Sequence, residues 1–238
     1  MVEPNGCELS LIERRITELD PSLMKMSLTR VILCHNALMD FPECLLILAN
    51  LKHLNLFNNE LTALPKDLNR LKRLEWLNLG MNKLDGLPST FGNLTNLVHL
   101  DLSLNRFRDD SFPPTFFTLP SLERLYLSNN LIETLGVSII KLQGLQTLAL
   151  RDNRISRVSK DLKDLLFLFE IHLQGNKLRF LPPEFADCPE LNGNKSIVKL
   201  EGNPWILPIK DQLRLGVSHV MTYIKSSTYK FVYDRHHV

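Results

Sequence analysis

One pattern, LxxLxLxxN, restricts the folding of this chain more than any other feature. It reads LTRVILCHN ending at Asn36, LKHLNLFNN at Asn59, LEWLNLGMN at Asn82 and LVHLDLSLN at Asn105. It continues as LERLYLSNN at Asn130, LQTLALRDN at Asn153 and LFEIHLQGN at Asn176, and a degenerate copy, KSIVKLEGN, ends at Asn203. Successive asparagines lie 23, 23, 23, 25, 23, 23 and 27 residues apart. Self-similarity at so steady a period belongs to a repeat architecture, in which no unit buries its apolar face alone and each is stabilised by its neighbours.

Each part of the repeat has a physical role. In Leu77-x-Leu79 the leucines alternate with exposed residues, the period of a short strand with one buried face. Asn82 and its equivalents sit where the chain leaves the strand, and an amide side chain there satisfies backbone groups that the bend strands. The xLxxLP run follows at Leu61 and Leu64-Pro65, Leu84 and Leu87-Pro88, and Leu178 and Leu181-Pro182, and a helical or irregular turn returns the chain. The expected fold is of the α/β class: a leucine-rich repeat solenoid, with a curved parallel sheet on its concave face and short helices or irregular turns on its convex face. Residues 1–22 are expected to form an N-terminal cap, with Arg14 in the asparagine position. Residues 23–203 carry the repeats and 204–238 a helical cap. In that cap Ile209, Leu213, Val217, Val220 and Ile224 step as one amphipathic helix, and Tyr229, Phe231 and Tyr233 are expected to pack on it.

Composition narrows the function. Leucine supplies 49 of 238 residues, while 28 Lys and Arg face 26 Asp and Glu. So balanced a charge argues against a nucleic-acid partner or an anionic membrane surface. No apolar stretch is long enough to cross a bilayer, and the start carries no basic segment followed by an apolar run. Cys7, Cys34, Cys44 and Cys188 are scattered without a CxxC pair, and the expectation is an intracellular, reduced protein. The Asn93 and Asn194 glycosylation triplets are read as chance matches.

The sequence presents no catalytic constellation, and neither enzyme activity nor a cofactor is expected. It has no G-x-G-x-x-G, Walker loop, G-x-S-x-G or H-E-x-x-H. His53 and His99 share a column of the strand face but lie two repeats apart, about 10 Å, too far to share one zinc ion. Asp109-Asp110 offers two carboxylates where Ca²⁺ asks for many oxygens. What remains is a surface. Positions outward from the strands place Phe57, Trp76, Asn78, Met81, Asp101, Tyr126 and Arg151 on the concave face, and the two columns there also include Cys34, Gly80 and Ala149. Aromatic and Met residues are the types enriched in interface cores.

The terminal block NPWILPIKDQLRLGVSHVMTYIKSSTYKFVYDRH, together with LNLGMN at Asn78, LYLS at Tyr126 and LRDN at Arg151, resembles the Ras suppressor protein family along nearly the whole chain. The resemblance implies a monomeric adaptor whose concave face docks a LIM-domain protein of the PINCH type. Through that protein it would reach integrin-linked kinase and parvin at cell–matrix adhesions and modulate Ras-linked signalling. Asn78, Asp101 and Arg151 carry the docking role by resemblance. The alternative is a scaffold subunit of a phosphatase or small-GTPase complex.

Overall fold

The computed structural model describes residues 7–237, so the first six residues of the expected N-terminal cap and Val238 lie outside the described residues. The chain divides into two compact units, one ending at Tyr126 and the other beginning at Leu127. The first contains β1 (Glu8–Ser10), β2 (Arg30–Ile32), β3 (His53–Asn55), β4 (Trp76–Asn78), β5 (His99–Asp101) and β6 (Arg124–Tyr126). They pair in chain order, all parallel. Each strand has three residues and one inward side chain; Val31, Leu54, Leu77, Leu100 and Leu125 are fully buried. Outward, the register aligns Arg30, His53, Trp76, His99 and Arg124 in one row and Ile32, Asn55, Asn78, Asp101 and Tyr126 in the next.

The second unit contains β7 (Thr134–Leu135), β8 (Thr147–Ala149), β9 (Arg157–Val158), β10 (Glu170–His172) and β11 (Ile197–Lys199). Parallel pairing joins β8, β10 and β11, while β7 pairs with β9 as a separate parallel ribbon. The ribbon falls where Leu135-Gly136 and Val158-Ser159 stand in place of the Leu-Pro of other repeats.

The return segments are 3₁₀ turns, and the sequence gives the reason. Their inward residues recur every third position: Leu45, Leu48 and Leu51; Leu68, Leu71 and Leu74; Leu162, Leu165 and Leu168; all are fully buried. A spacing of three keeps side chains on one line only when the backbone has three residues per turn, the geometry of a 3₁₀ helix. The turn at Lys66–Arg70 starts after Pro65, whose fixed φ suits an extended entry. The two-residue insertion between Asn105 and Asn130 forms an extra turn, Asp109–Ser111. After it Phe112 comes back to stack on Phe107, 5.4 Å between ring centres, and meets Phe116 at 5.1 Å.

The repeat asparagines form a ladder. Asn82 Nδ2 donates to the Leu79 carbonyl at 2.9 Å and to the Leu56 carbonyl of the previous repeat at 3.0 Å, while its Oδ1 accepts from Leu61 N–H at 3.0 Å. Asn59, Asn105, Asn153 and Asn176 make the same three contacts, each with its own repeat and the one before. Asn203, in the degenerate copy, makes them too.

At the N-terminus β1 extends the sheet, and Asn36 Oδ1 accepts from Arg14 and Ile16 N–H. At the C-terminus the apolar spacing runs through α1 (Leu207–Leu215), α2 (Val217–Lys225) and α3 (Ser227–His237) and does not form the single expected helix. Gly216 interrupts it: its φ of +126° is open to glycine, and its N–H reaches the Gln212 and Leu213 carbonyls. Tyr229 is fully buried; its hydroxyl donates to the Leu181 carbonyl at 2.6 Å and accepts from Leu181 N–H. Burial pushes the Tyr229 phenol well above its ordinary pKa. Tyr233 meets Phe180 edge-on, but Phe231 departs from the expectation: it stays 61% exposed, with the Arg235 guanidinium over its ring.

Candidate partner-binding face of the strands

Six of the seven predicted site residues lie on or beside the outward face of the first unit. Phe57, Trp76, Asn78, Asp101 and Tyr126 are half-buried, and Met81 is 45% exposed. Short polar side chains hold the ends of the strands in place. Asn55 Oδ1 accepts from Phe57 N–H, Asn78 Oδ1 from Gly80 N–H and Asp101 Oδ1 from Ser103 N–H, at 2.9 to 3.0 Å. Gly80 fills a gap among them: a Cβ there would lie 3.1 Å from the Phe57 ring, 3.2 Å from Asn78 Oδ1 and 3.4 Å from Asp101 Oδ1. Phe57, Asn78 and Asp101 therefore converge on one spot.

Parts of the expected outward columns are covered. Cys34, Gly80 and Ala149 are buried, because small side chains sink between longer neighbours on a sheet face. Beside Ala149, Thr147 Oγ1 bonds Glu170 Oε2 at 3.0 Å, and Glu170 in turn meets His172 at 2.9 Å. Arg151 belongs to the second unit, is exposed, and pairs through Nε with Asp152 at 2.7 Å.

His53 and His99, set aside as metal ligands in the sequence, prove to be structural members of the face. Trp76 stands between them, with ring centres 6.4 Å from His53 and 5.1 Å from His99, nearly parallel to the latter at 18°. Tyr126 continues the stack at 5.0 Å from His99, and His35 meets Phe57 edge-on at 5.4 Å. Burial lowers the pKa of both His53 and His99 from the ordinary imidazole range, aided by Arg30 beside His53 and resisted by Asp101 beside His99. The signal for this row was in the register: β3, β4 and β5 each carry a ring, His53, Trp76 and His99, at the same repeat position.

A second feature recurs with the repeat. The residue before each repeat asparagine has left-handed backbone: His35, Asn58, Met81, Leu104, Asn129, Asp152, Gly175 and Gly202, with φ from +53° to +70°. Gly, Asn and Asp enter this region readily, whereas Met and Leu do so at a cost of roughly 1 kcal/mol. Met81 and Leu104 are nevertheless apolar and nearly half exposed. At Met81 and Leu104 backbone strain and exposed apolar area coincide. Met81→Gly should therefore raise stability by about 1 kcal/mol, read as a higher urea midpoint at unchanged slope; a lower midpoint would show that Met81 is not strained.

Comparison with known proteins agrees with this geometry. The model of the leucine-rich repeat family matches over residues 49–107, 86–132, 109–155 and 120–178. The chain belongs to the leucine-rich repeat family. A leucine-rich repeat protein of Leptospira interrogans has the same fold with a TM-score of 0.73 and 28% identity, covering 87% of this chain and 58% of that one. Internalin C2 of Listeria monocytogenes is similar in fold at a TM-score of 0.67 and 23% identity, covering 84% of this chain and 80% of that one. Ras suppressor protein 1 is 60% identical in Bos taurus and 57% in Homo sapiens, over 47 residues. That stretch is 20% of this chain and spans only 17% of each relative's length, so the similarity found is far more local than the near-complete resemblance expected. The repeats and this similarity support a protein-interaction module.

Among the described residues, no three His, Cys, Asp or Glu side chains gather as metal ligands, and no helix is long and apolar enough to cross a membrane. The buried Cys188 thiol is pushed up to about 12 by desolvation, which makes it a packing residue with little thiolate character.

Proposed function

We propose that this leucine-rich repeat protein is a non-enzymatic adaptor that docks a zinc-bound LIM domain of the PINCH type on its strand face. In this reading it acts in the cytoplasm at cell–matrix adhesions, reaches integrin-linked kinase and parvin through the LIM protein, and modulates Ras-linked signalling. The observation that carries the reading is the cluster of Phe57, Trp76, Met81 and Tyr126 around the polar pair Asn78 and Asp101, in a chain locally similar to Ras suppressor protein 1. Partly exposed aromatic and Met side chains next to fixed hydrogen-bonding groups form an interface centre with a polar rim. Arg151, in the second unit, enters the proposal on the resemblance alone.

The test is calorimetric titration of a PINCH-type LIM domain into the protein and into an Asp101→Arg, Tyr126→Ala double variant. Truncating two central interface residues costs about 2 kcal/mol each, so the affinity should fall at least roughly 100-fold. Thermal melting of the variant checks that the fold persists. An unchanged affinity in a folded variant would remove the strand face from the docking site.

A further inference from the structure

We infer that the row Arg30, His53, Trp76, His99 and Arg124 is a docking strip for an extended acidic segment of a partner protein, laid across the strands with a carboxylate at each terminal arginine. The inference rests on the strand face as a docking surface, but neither on the LIM partner nor on Asn78, Met81 or Asp101. Glu8 on β1 stands in register outside Arg30, and from Arg30 to Arg124 five adjacent parallel strands each contribute one side chain that carries a hydrogen-bond donor. The Trp76 indole is stacked on His99 at 18°, with His53 tilted against it at 6.4 Å from the neighbouring strand. A guanidinium at either end of such a row favours carboxylates, which arginine binds with its planar fork.

The nearby carboxylates are already engaged. Glu8 lies 3.6 Å from Arg30 Nε, Glu75 holds Lys52 at 2.7 Å, and Asp101 accepts from Ser103 N–H. The Glu8 contact is long and half exposed, a pairing that a better-placed carboxylate displaces at little cost. Between Arg30, Ile32, His53, Asn55 and Trp76 lies a cavity of about 280 Å³, room for an apolar side chain of the segment. Four strand-to-strand steps of about 4.8 Å make the row about 19 Å long, and an extended peptide advances about 3.3 Å per residue. The two carboxylates therefore stand about six residues apart.

The histidines make the strip pH-dependent. His53 faces Arg30, Lys52, Glu75 and Trp76; His99 faces Asp101, Arg124, Trp76 and Tyr126. Burial holds both neutral at pH 7.5 and lowers the pH at which they charge. Protonation of either ring adds a positive charge to the row, so binding of an ionised carboxylate tightens as the pH falls far enough to charge them.

The probe is a blocked heptapeptide, Glu-Ser-Val-Ser-Val-Ser-Glu, with a twin bearing Gln at both ends, each titrated into the full chain and followed by the two indole N–H resonances in NMR. Trp205 is the internal control, since it is buried and its Nε1 donates to the Leu200 carbonyl at 2.8 Å. The Glu peptide should move the Trp76 signal and leave Trp205 in place, with the Gln twin about tenfold weaker. Arg30→Gln with Arg124→Gln should weaken the Glu peptide about tenfold or more. Lowering the pH until the histidine ring resonances shift should tighten it several-fold, an effect lost in His53→Gln with His99→Gln. Equal responses to the two peptides, which need no variant to fold, would overturn the inference. So would a tighter response to a single-stranded oligonucleotide of similar span. Arg30→Gln with Arg124→Gln leaves Asp101 and Tyr126 in place, so LIM-domain binding retained there while peptide binding is lost separates this inference from the LIM reading.

Discussion

Asn82→Ala should lower the unfolding free energy by about 2 kcal/mol, several times the effect of Asn96→Ala. Both asparagines hydrogen-bond to backbone, but Asn96 does so in the open, with one bond to the Lys72 carbonyl. Asn82 is 8% exposed and holds the Leu56 and Leu79 carbonyls and Leu61 N–H together. Alanine fills neither role: Leu61 N–H is left without a partner where water does not reach it, a loss that costs about 1–3 kcal/mol, while the Leu56 and Leu79 carbonyls keep one donor each, from Asn59 and Asn105. Urea unfolding of the two variants side by side measures the difference. Equal losses would show that the ladder adds nothing beyond an exposed hydrogen bond.

A comparable loss is expected at Gly92, for a steric reason. The glycine sits in the 3₁₀ turn Phe91–Asn93, packed under the turn Pro114–Thr118 of the next repeat. A Cβ on Gly92 would fall 2.0 Å from the Thr115 carbonyl oxygen and 2.5 Å from its carbon. Backbone cannot swing aside as a long side chain can, so Gly92→Ala must push two turns apart and loosen the Phe91–Phe116 ring contact, now at 6.1 Å. Overpacking of this kind costs about 1–3 kcal/mol, and its site between two buried phenylalanines places it at the upper end. Gly136→Ala is the matched control, since nothing lies within 4 Å of its added carbon. If both variants melted together, the close approach at Gly92 would be no constraint.

The core of the fold is legible residue by residue because its cause is periodic. The alternation of Leu77 and Leu79, the turn at Asn82 and the three-residue step from Leu68 to Leu74 each follow from one backbone geometry. The break at Gly216 was harder to see, since an apolar spacing of three and four runs straight through it; only its φ of +126° shows that the helix stops. Phe231 was misread for a related reason: an aromatic residue near two buried tyrosines looks like core until helix phase turns it outward. The strand face was legible in its exposed positions but not in their arrangement. Exposed positions on the strands named Phe57, Trp76 and Tyr126, yet a ring stack needs the side-chain angles of His53 and His99, which repeat spacing does not supply. Arg151 was grouped with the others by its column, whereas the structure gives it an immediate partner in Asp152.

The asparagine ladder has a direction. Asn36, Asn59, Asn82, Asn105, Asn153, Asn176 and Asn203 all reach back to main chain of the preceding repeat or cap. Each amide thus meets acceptors that left the ribosome earlier than it did. A nascent chain can lock every repeat as its asparagine emerges, without waiting for residues still to be translated. Removal of the newest repeat takes an acceptor from N–H groups of the one before, as Asn82 Oδ1 serves Leu61 N–H, whereas loss of the oldest strips the next amide of a carbonyl. Growth by accretion from one end is therefore written into the side chains, and shortening this chain from its two ends should have unequal consequences.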